Sequence, residues 1–129
     1  LFRSVIFLVL ATAGAGIGVT LLKLFIQRPR PNIIPHLVTV TDYSYPSGHT
    51  IASTAAYLSL ALLASRRFVE WREKAILFFM AGVLIGLVAI SRLYLGVHYP
   101  SDILSGVFLG AGWTFGLAAF FFQSGKVQK

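Results

Sequence analysis

The stretch from Pro46 to Asp102 reads PSGHTIASTAAYLSLALLASRRFVEWREKAILFFMAGVLIGLVAISRLYLGVHYPSD. It opens on the polar string PSGH (46–49) and closes on a second, SRLYLGVHYPSD (91–102), with two apolar runs between them that are parted by the charged turn RRFVEWREK (66–74). Each run approaches the roughly 20 apolar residues that a helix needs to cross a bilayer. A chain that leaves one membrane face at His49 is therefore back on that face by Arg92. A third polar string, KLFIQRPRP (23–31), ends another apolar run and belongs to the same face. Lys23, Arg28, Arg30, His49, Arg92, His98 and Asp102 are thus expected to converge, and cations beside histidines and a carboxylate suit a phosphate ester.

Composition sets the solvent. Of the 129 residues, 57% are hydrophobic and 12% charged, against roughly 25% charged residues in an average soluble domain. The expected fold class is all-α, an integral membrane helical bundle with four transmembrane helices over about residues 4–22, 47–65, 74–91 and 101–122, in a single membrane-embedded domain. The first run is longer than the apolar region of a cleaved signal peptide and ends in Lys23 and a Pro/Arg string without a small-residue cleavage site, so it reads as a true span. The chain opens on Leu1 and enters apolar sequence within a few residues, from which preceding sequence in a longer parent is expected.

The net charge of +7 does not point to nucleic acid, because the basic residues cap apolar runs instead of forming a stripe interleaved with aromatics. With no cysteine there is no disulfide, thiolate nucleophile or cysteine metal site, and no His-Glu-x-x-His motif is present. Arg3, Arg66, Arg67, Arg72, Lys74, Lys126 and Lys129 fall on one side of the four spans, and Lys23, Arg28, Arg30 and Arg92 on the other. The positive-inside rule makes the first side cytoplasmic and places the polar strings on the extracytoplasmic face of a cytoplasmic membrane. Trp71, Tyr43 and Tyr45 read as interfacial anchors, Glu70 and Glu73 as a solvated loop face, and His36 and Asp42 as parts of a solvated outer loop. Small residues four apart (Gly14/Gly18, Ala52/Ala56, Gly82/Gly86, Gly106/Gly110, Gly112/Gly116) suit close helix packing in lipid.

Ser47 is placed to cap the second span, and the free N–H groups behind it, from Gly48 onward, together with the helix dipole favour an anion. An ordinary Pro-Ser-Gly turn explains the same string. His49 is harder to dismiss, since an imidazole in the first turn of a transmembrane helix is expected to line a cavity. Lys23 and Arg92 read either as site cations or as snorkelling anchors. His98 and Asp102 suit an imidazole with one nitrogen held protonated by a carboxylate and the other free to attack. Alternatively, Asp102 only caps its helix and His98 is a loop residue.

Taken together, these residues resemble the type 2 phosphatidic acid phosphatase (PAP2) superfamily. Its signature is a lysine, six residues and Arg-Pro, then Pro-Ser-Gly-His, then Ser-Arg, five residues, His, three residues and Asp. Lys23, Arg30, Pro31, Pro46, Ser47, Gly48, His49, Ser91, Arg92, His98 and Asp102 match every position. The resemblance implies that His98 attacks phosphorus to form a phosphohistidine, Asp102 orients it, and His49 protonates the leaving oxygen. It also implies that Lys23, Arg30, Ser47, the Gly48 amide and Arg92 hold the phosphoryl oxygens, with no metal and no other cofactor. Arg28 lies outside the signature and is expected to touch a headgroup or loop.

Members of the membrane branch usually have six transmembrane helices, so two are expected before Leu1. The implied activity is that of a phosphatidylglycerophosphatase B-like or undecaprenyl-diphosphate phosphatase, or of a phosphatidate phosphatase, acting on a phosphomonoester or diphosphate of a membrane lipid at the outer face of a cytoplasmic membrane. Rivals are a vanadate-binding haloperoxidase relative, whose kin are soluble, and a lipid transporter or flippase, which has no need of His98, His49 and Asp102 together.

Overall fold

The computed structural model describes residues 2–122. Four helices account for most of them: α1 (Phe2–Ile26), α2 (Gly48–Ser65), α3 (Trp71–Tyr94) and α4 (Pro100–Phe122). The all-α expectation holds, and the helix ends differ from it by a few residues. α1 runs past Leu22 to Ile26, so Lys23 lies in its last turn, and α3 runs on to Tyr94, so Arg92 lies in its last turn. Lysine and arginine are good helix formers, and a cation near a helix C-terminus is favoured by the dipole, so neither residue stops its helix. Lys126 and Lys129, counted above towards the cytoplasmic side, lie outside the described residues.

Among the described residues, three helices are long and apolar enough to cross a membrane: α1, α3 and α4. The sequence leads to an expectation of four transmembrane helices; α2 falls short of the apolar character of the other three, and its composition follows from its place. It is the central helix, packed on each of the other three, while α1 and α3 do not touch. Thr50, Thr54 and Ser59 are wholly buried in its contacts, so α2 faces protein where the others face outward and need not be as apolar as they are.

The α2–α4 seam shows how the small residues work. A Cβ on Gly106 would stand 2.9 Å from Thr50 Cβ and 3.2 Å from the Ser47 carbonyl oxygen, and one on Gly110 would stand 2.8 Å from Thr54 Cβ. Those two glycines let the helix backbones close on each other, as small residues do in lipid. Gly14 lies under the Trp113 ring, whose indole Nε1–H donates to the Leu10 and Ala11 carbonyls at 3.2 and 3.1 Å. Gly18, Gly82, Gly86, Gly112 and Gly116 have open space where a Cβ would go, so the packing reading holds for only part of the spaced set.

At the end of the bundle holding the C-termini of α1 and α3, residues 27–47 and the α3–α4 loop are laid together. The Leu37 amide donates to the Leu95 carbonyl at 3.3 Å, and Arg30 Nη1 donates to the Val97 carbonyl at 2.7 Å. Gly96, with φ +72, makes the turn out of α3, and a Cβ there would come within 2.8 Å of Ile34. A left-handed φ beneath a packed neighbour calls for glycine. This turn lets Arg92 and His98 address the same space.

Candidate active site

That space is a cavity of about 680 Å³ lined by Lys23, Arg30, His49, Arg92 and His98 together with Asp42, and walled on its apolar side by residues such as Val19 and Ala52. Five segments build it: α1 supplies Lys23, the linker Arg30 and Asp42, α2 Gly48 and His49, α3 Arg92, and the α3–α4 loop His98. Ser47 caps α2 as its sequence suggests, with its Oγ accepting from the Thr50 amide at 3.4 Å and the Thr50 hydroxyl at 2.9 Å. It is wholly buried, and its hydroxyl faces Thr50 while Gly48 and His49 reach the cavity. Ser47 thus fixes the helix start that presents Gly48 and His49.

His98 and Asp102 meet across the start of α4, with His98 Nδ1 3.4 Å from Asp102 Oδ2. The carboxylate is wholly buried and fully engaged. Arg28 Nη1 donates to Oδ1 at 2.8 Å, the Tyr99 amide donates to Oδ2 at 2.9 Å, and the Ser44 hydroxyl donates to Oδ2. The Ser47 amide donates to the Asp102 carbonyl at 3.1 Å, which ties the N-terminus of α2 to that of α4. A carboxylate beside Nδ1 selects the tautomer with its proton there, leaving the Nε2 lone pair towards Arg30 Nη1, 3.4 Å away. Burial and the Arg30 charge push the His98 imidazole down to about 4, against the upward pull of Asp102. The ring is therefore neutral at pH 7 and able to act as a nucleophile.

Two linker residues make contacts that their sequence did not suggest. Asp42 lies exposed in a loop as expected, but its carboxylate also lines the cavity, where it accepts from Lys23 Nζ and from Arg30 Nη2. Burial raises its carboxyl, but the hydrogen bonds from Lys23 and Arg30 outweigh that and hold it at about 2. Arg28, expected to touch a headgroup or loop, instead pairs with Asp102, donates to Ser101 Oγ at 2.7 Å and lies over the Tyr99 ring at 4.1 Å. A carboxylate buried in the bundle needs a counter-charge, and Arg28 is the one within reach.

His36 does lie in an exposed segment, with its Nε2 2.6 Å from the Pro31 carbonyl oxygen. Ser44 and Tyr99 were not singled out, and nothing in their local sequence marks them. Asp42 had a signal, as the one carboxylate between Lys23 and His49.

A cationic cavity and a buried histidine–aspartate pair at one common end of four packed helices define an anion-handling helical bundle. The chain belongs to the PAP2 superfamily, which it matches over residues 4–126. It is 37% identical over 110 residues to phosphatidylglycerophosphatase B of Bacillus subtilis strain 168, covering 84% of this chain and 50% of that protein. Over 107 residues it is 39% identical to decaprenylphosphoryl-5-phosphoribose phosphatase of Mycobacterium tuberculosis, covering 77% of this chain and 54% of that one. Undecaprenyl-diphosphatase of Sulfolobus acidocaldarius is 38% identical over 89 residues, 69% of this chain and 38% of the relative. The crystal structure of a transmembrane PAP2-type phosphatidylglycerolphosphate phosphatase from Bacillus subtilis superimposes with a TM-score of 0.86 at 31% identity, over 95% of this chain and 61% of that one. The chain spans about half the length of the curated relatives it matches.

Proposed function

We propose that this chain carries the catalytic end of an integral membrane lipid phosphate phosphatase that works through a phosphohistidine and without a metal. The observation that carries the reading is the meeting of the His98–Asp102 pair with Lys23, Arg30 and Arg92 around one cavity. Phosphoryl transfer needs mainly positioning and neutralisation of the equatorial oxygens, and these cations with the Gly48 end of α2 supply both. His98 Nε2 attacks phosphorus, the bond from phosphorus to the lipid oxygen breaks, and His49 gives that oxygen its proton. Water then attacks the phosphohistidine and loses a proton to His49. The N–P bond breaks, and inorganic phosphate leaves.

The named activities of the relatives support a phosphomonoester or diphosphate of a membrane lipid as substrate, such as phosphatidylglycerophosphate or undecaprenyl diphosphate, and the family resemblance adds phosphatidate as a third candidate. Phosphate release by the purified full-length protein in detergent, measured against each of the three, tests the reading, and no release from any would sink it. With cations supplied by side chains, turnover is expected to survive EDTA and to be lost in vanadate, which takes up the geometry of the reacting phosphoryl group. Loss in EDTA with recovery on adding a divalent ion would overturn the metal-free reading.

In the same reading α2 is a fourth crossing, shielded from lipid by its neighbours, and the cavity opens on the extracytoplasmic face, as the distribution of basic residues favours. A cysteine replacing His36 is then expected to react with an impermeant thiol reagent in intact cells, and one replacing Arg67 is not. The reverse labelling pattern would put the cavity on the cytoplasmic side.

A further inference from the structure

Asp42 stands among the groups assigned to the phosphoryl oxygens. Its carboxylate takes one donor from Lys23 and one from Arg30, and its carbonyl takes the Arg30 Nε–H at 2.9 Å. Arg92, the third cation of the cavity, has its buried Nε without a partner. Two of the three cations are thus engaged by an anion that belongs to the chain itself. The Asp42 side chain is 56% exposed, and its segment, 27–47, has no helix or strand and leaves Ile33, Ile34 and Leu37 uncovered. Among the described residues, Lys23 and Arg30 are the side chains that bond its carboxylate.

We propose that Asp42 is an affinity-setting residue, an internal carboxylate that competes with the phosphoryl group for Lys23 and Arg30. The inference rests on the reading of the cavity as a phosphoryl site. Two anions that share the same cations repel each other and divide the same donors. The two cations hold the Asp42 carboxyl below the usual carboxylate range, so it is an anion when the phosphoryl group arrives. Substrate and inorganic phosphate carry the same group, and three undivided cations would hold both tightly. Binding substrate and transition state equally well lowers KM without raising kcat. An internal competitor raises KM and lets the product go.

The opposite role is that Asp42 holds Lys23 and Arg30 in place for the ligand. The two roles predict opposite signs. Binding of inorganic phosphate and of vanadate to the purified full-length protein, measured by titration calorimetry without turnover, separates them. Asp42→Asn keeps the shape and removes the charge, and is expected to bind both anions about tenfold tighter or more, with a lower KM and a kcat no higher than before. Asp42→Ala, which removes the group outright, is expected to shift the same way, and Asp42→Glu, which keeps the charge, to stay near the original affinity.

Unchanged or weaker anion binding by both neutral variants, each shown folded by its elution profile and melting curve, would overturn the proposal and leave the phosphatase reading standing. If the unaltered protein bound neither anion, the proposal would fall together with that reading.

Discussion

His98→Ala is expected to abolish turnover of a lipid phosphate by the full-length protein, and to abolish with it the acid-labile phosphoenzyme that the unaltered protein forms. The loss is expected on the order of 10⁴-fold or more, because a group that makes and breaks the covalent bond has no substitute in its cavity. Its Nε2 faces the cavity beside Arg30, and its Nδ1 is held by a carboxylate with three other partners. Rapid quenching in base after mixing with radiolabelled substrate traps an N–P bond that acid then releases. A phosphoenzyme persisting in His98→Ala would move the nucleophile elsewhere.

The second large effect is expected at Arg28, outside the family signature. Arg28→Ala leaves the Asp102 carboxylate wholly buried and without its counter-charge. Removing one partner of a buried ion pair costs about 3–5 kcal/mol, and the lower end applies because Arg28 itself is one-third exposed. Part of that cost appears as lost stability and part as a carboxylate free to turn away from His98. Turnover is expected to fall by roughly 10²-fold or more with KM little changed, since Arg28 touches the carboxylate and not the cavity. Arg28→Lys keeps the charge without the planar fork and is expected to recover part of the rate. Arg30→Ala lies on the cavity itself and is expected to impair both kcat and KM. A normal kcat in Arg28→Ala, with only lipid affinity altered, would restore the headgroup role that its sequence position suggested.

These two arginines show where sequence reading succeeds and where it stops. Helices are legible because twenty apolar residues in a row have few other uses, and the three polar strings are legible because each interrupts or ends such a run. Topology then brings Lys23, His49, Arg92 and His98 together with no further information. Pairings made by the linker are another matter. Residues 27–47 follow no helical or strand period, so nothing in their order says that Arg28 turns to Asp102 while Arg30, two positions on, turns to Asp42 and Val97. Those choices depend on which buried charge lies within reach after folding.

Small-residue spacing fails more mildly. Gly106 and Gly110 share their spacing with Gly82 and Gly86, yet only the first pair meets a neighbouring helix. Spacing shows that a close approach is possible; the partner's position decides whether it occurs. The polar residues of α2 carry a similar lesson, because Thr50, Thr54 and Ser59 lower its apolar character and are wholly buried in the bundle.

The separation of α1 from α3 gives the ligand a mechanical part. These two helices do not touch, yet Lys23 from one and Arg92 from the other line the same cavity. On the proposed function, a phosphoryl group held between them acts as a removable rivet across the bundle, joining walls whose helix contacts otherwise run through α2 and α4. Its binding energy then adds to the resistance of the whole assembly to unfolding, by RT ln(1 + [L]/Kd), or about 2.7 kcal/mol at a hundredfold excess over Kd. In detergent, where lateral pressure from lipid is gone, orthophosphate in the buffer is then expected to help keep the protein intact.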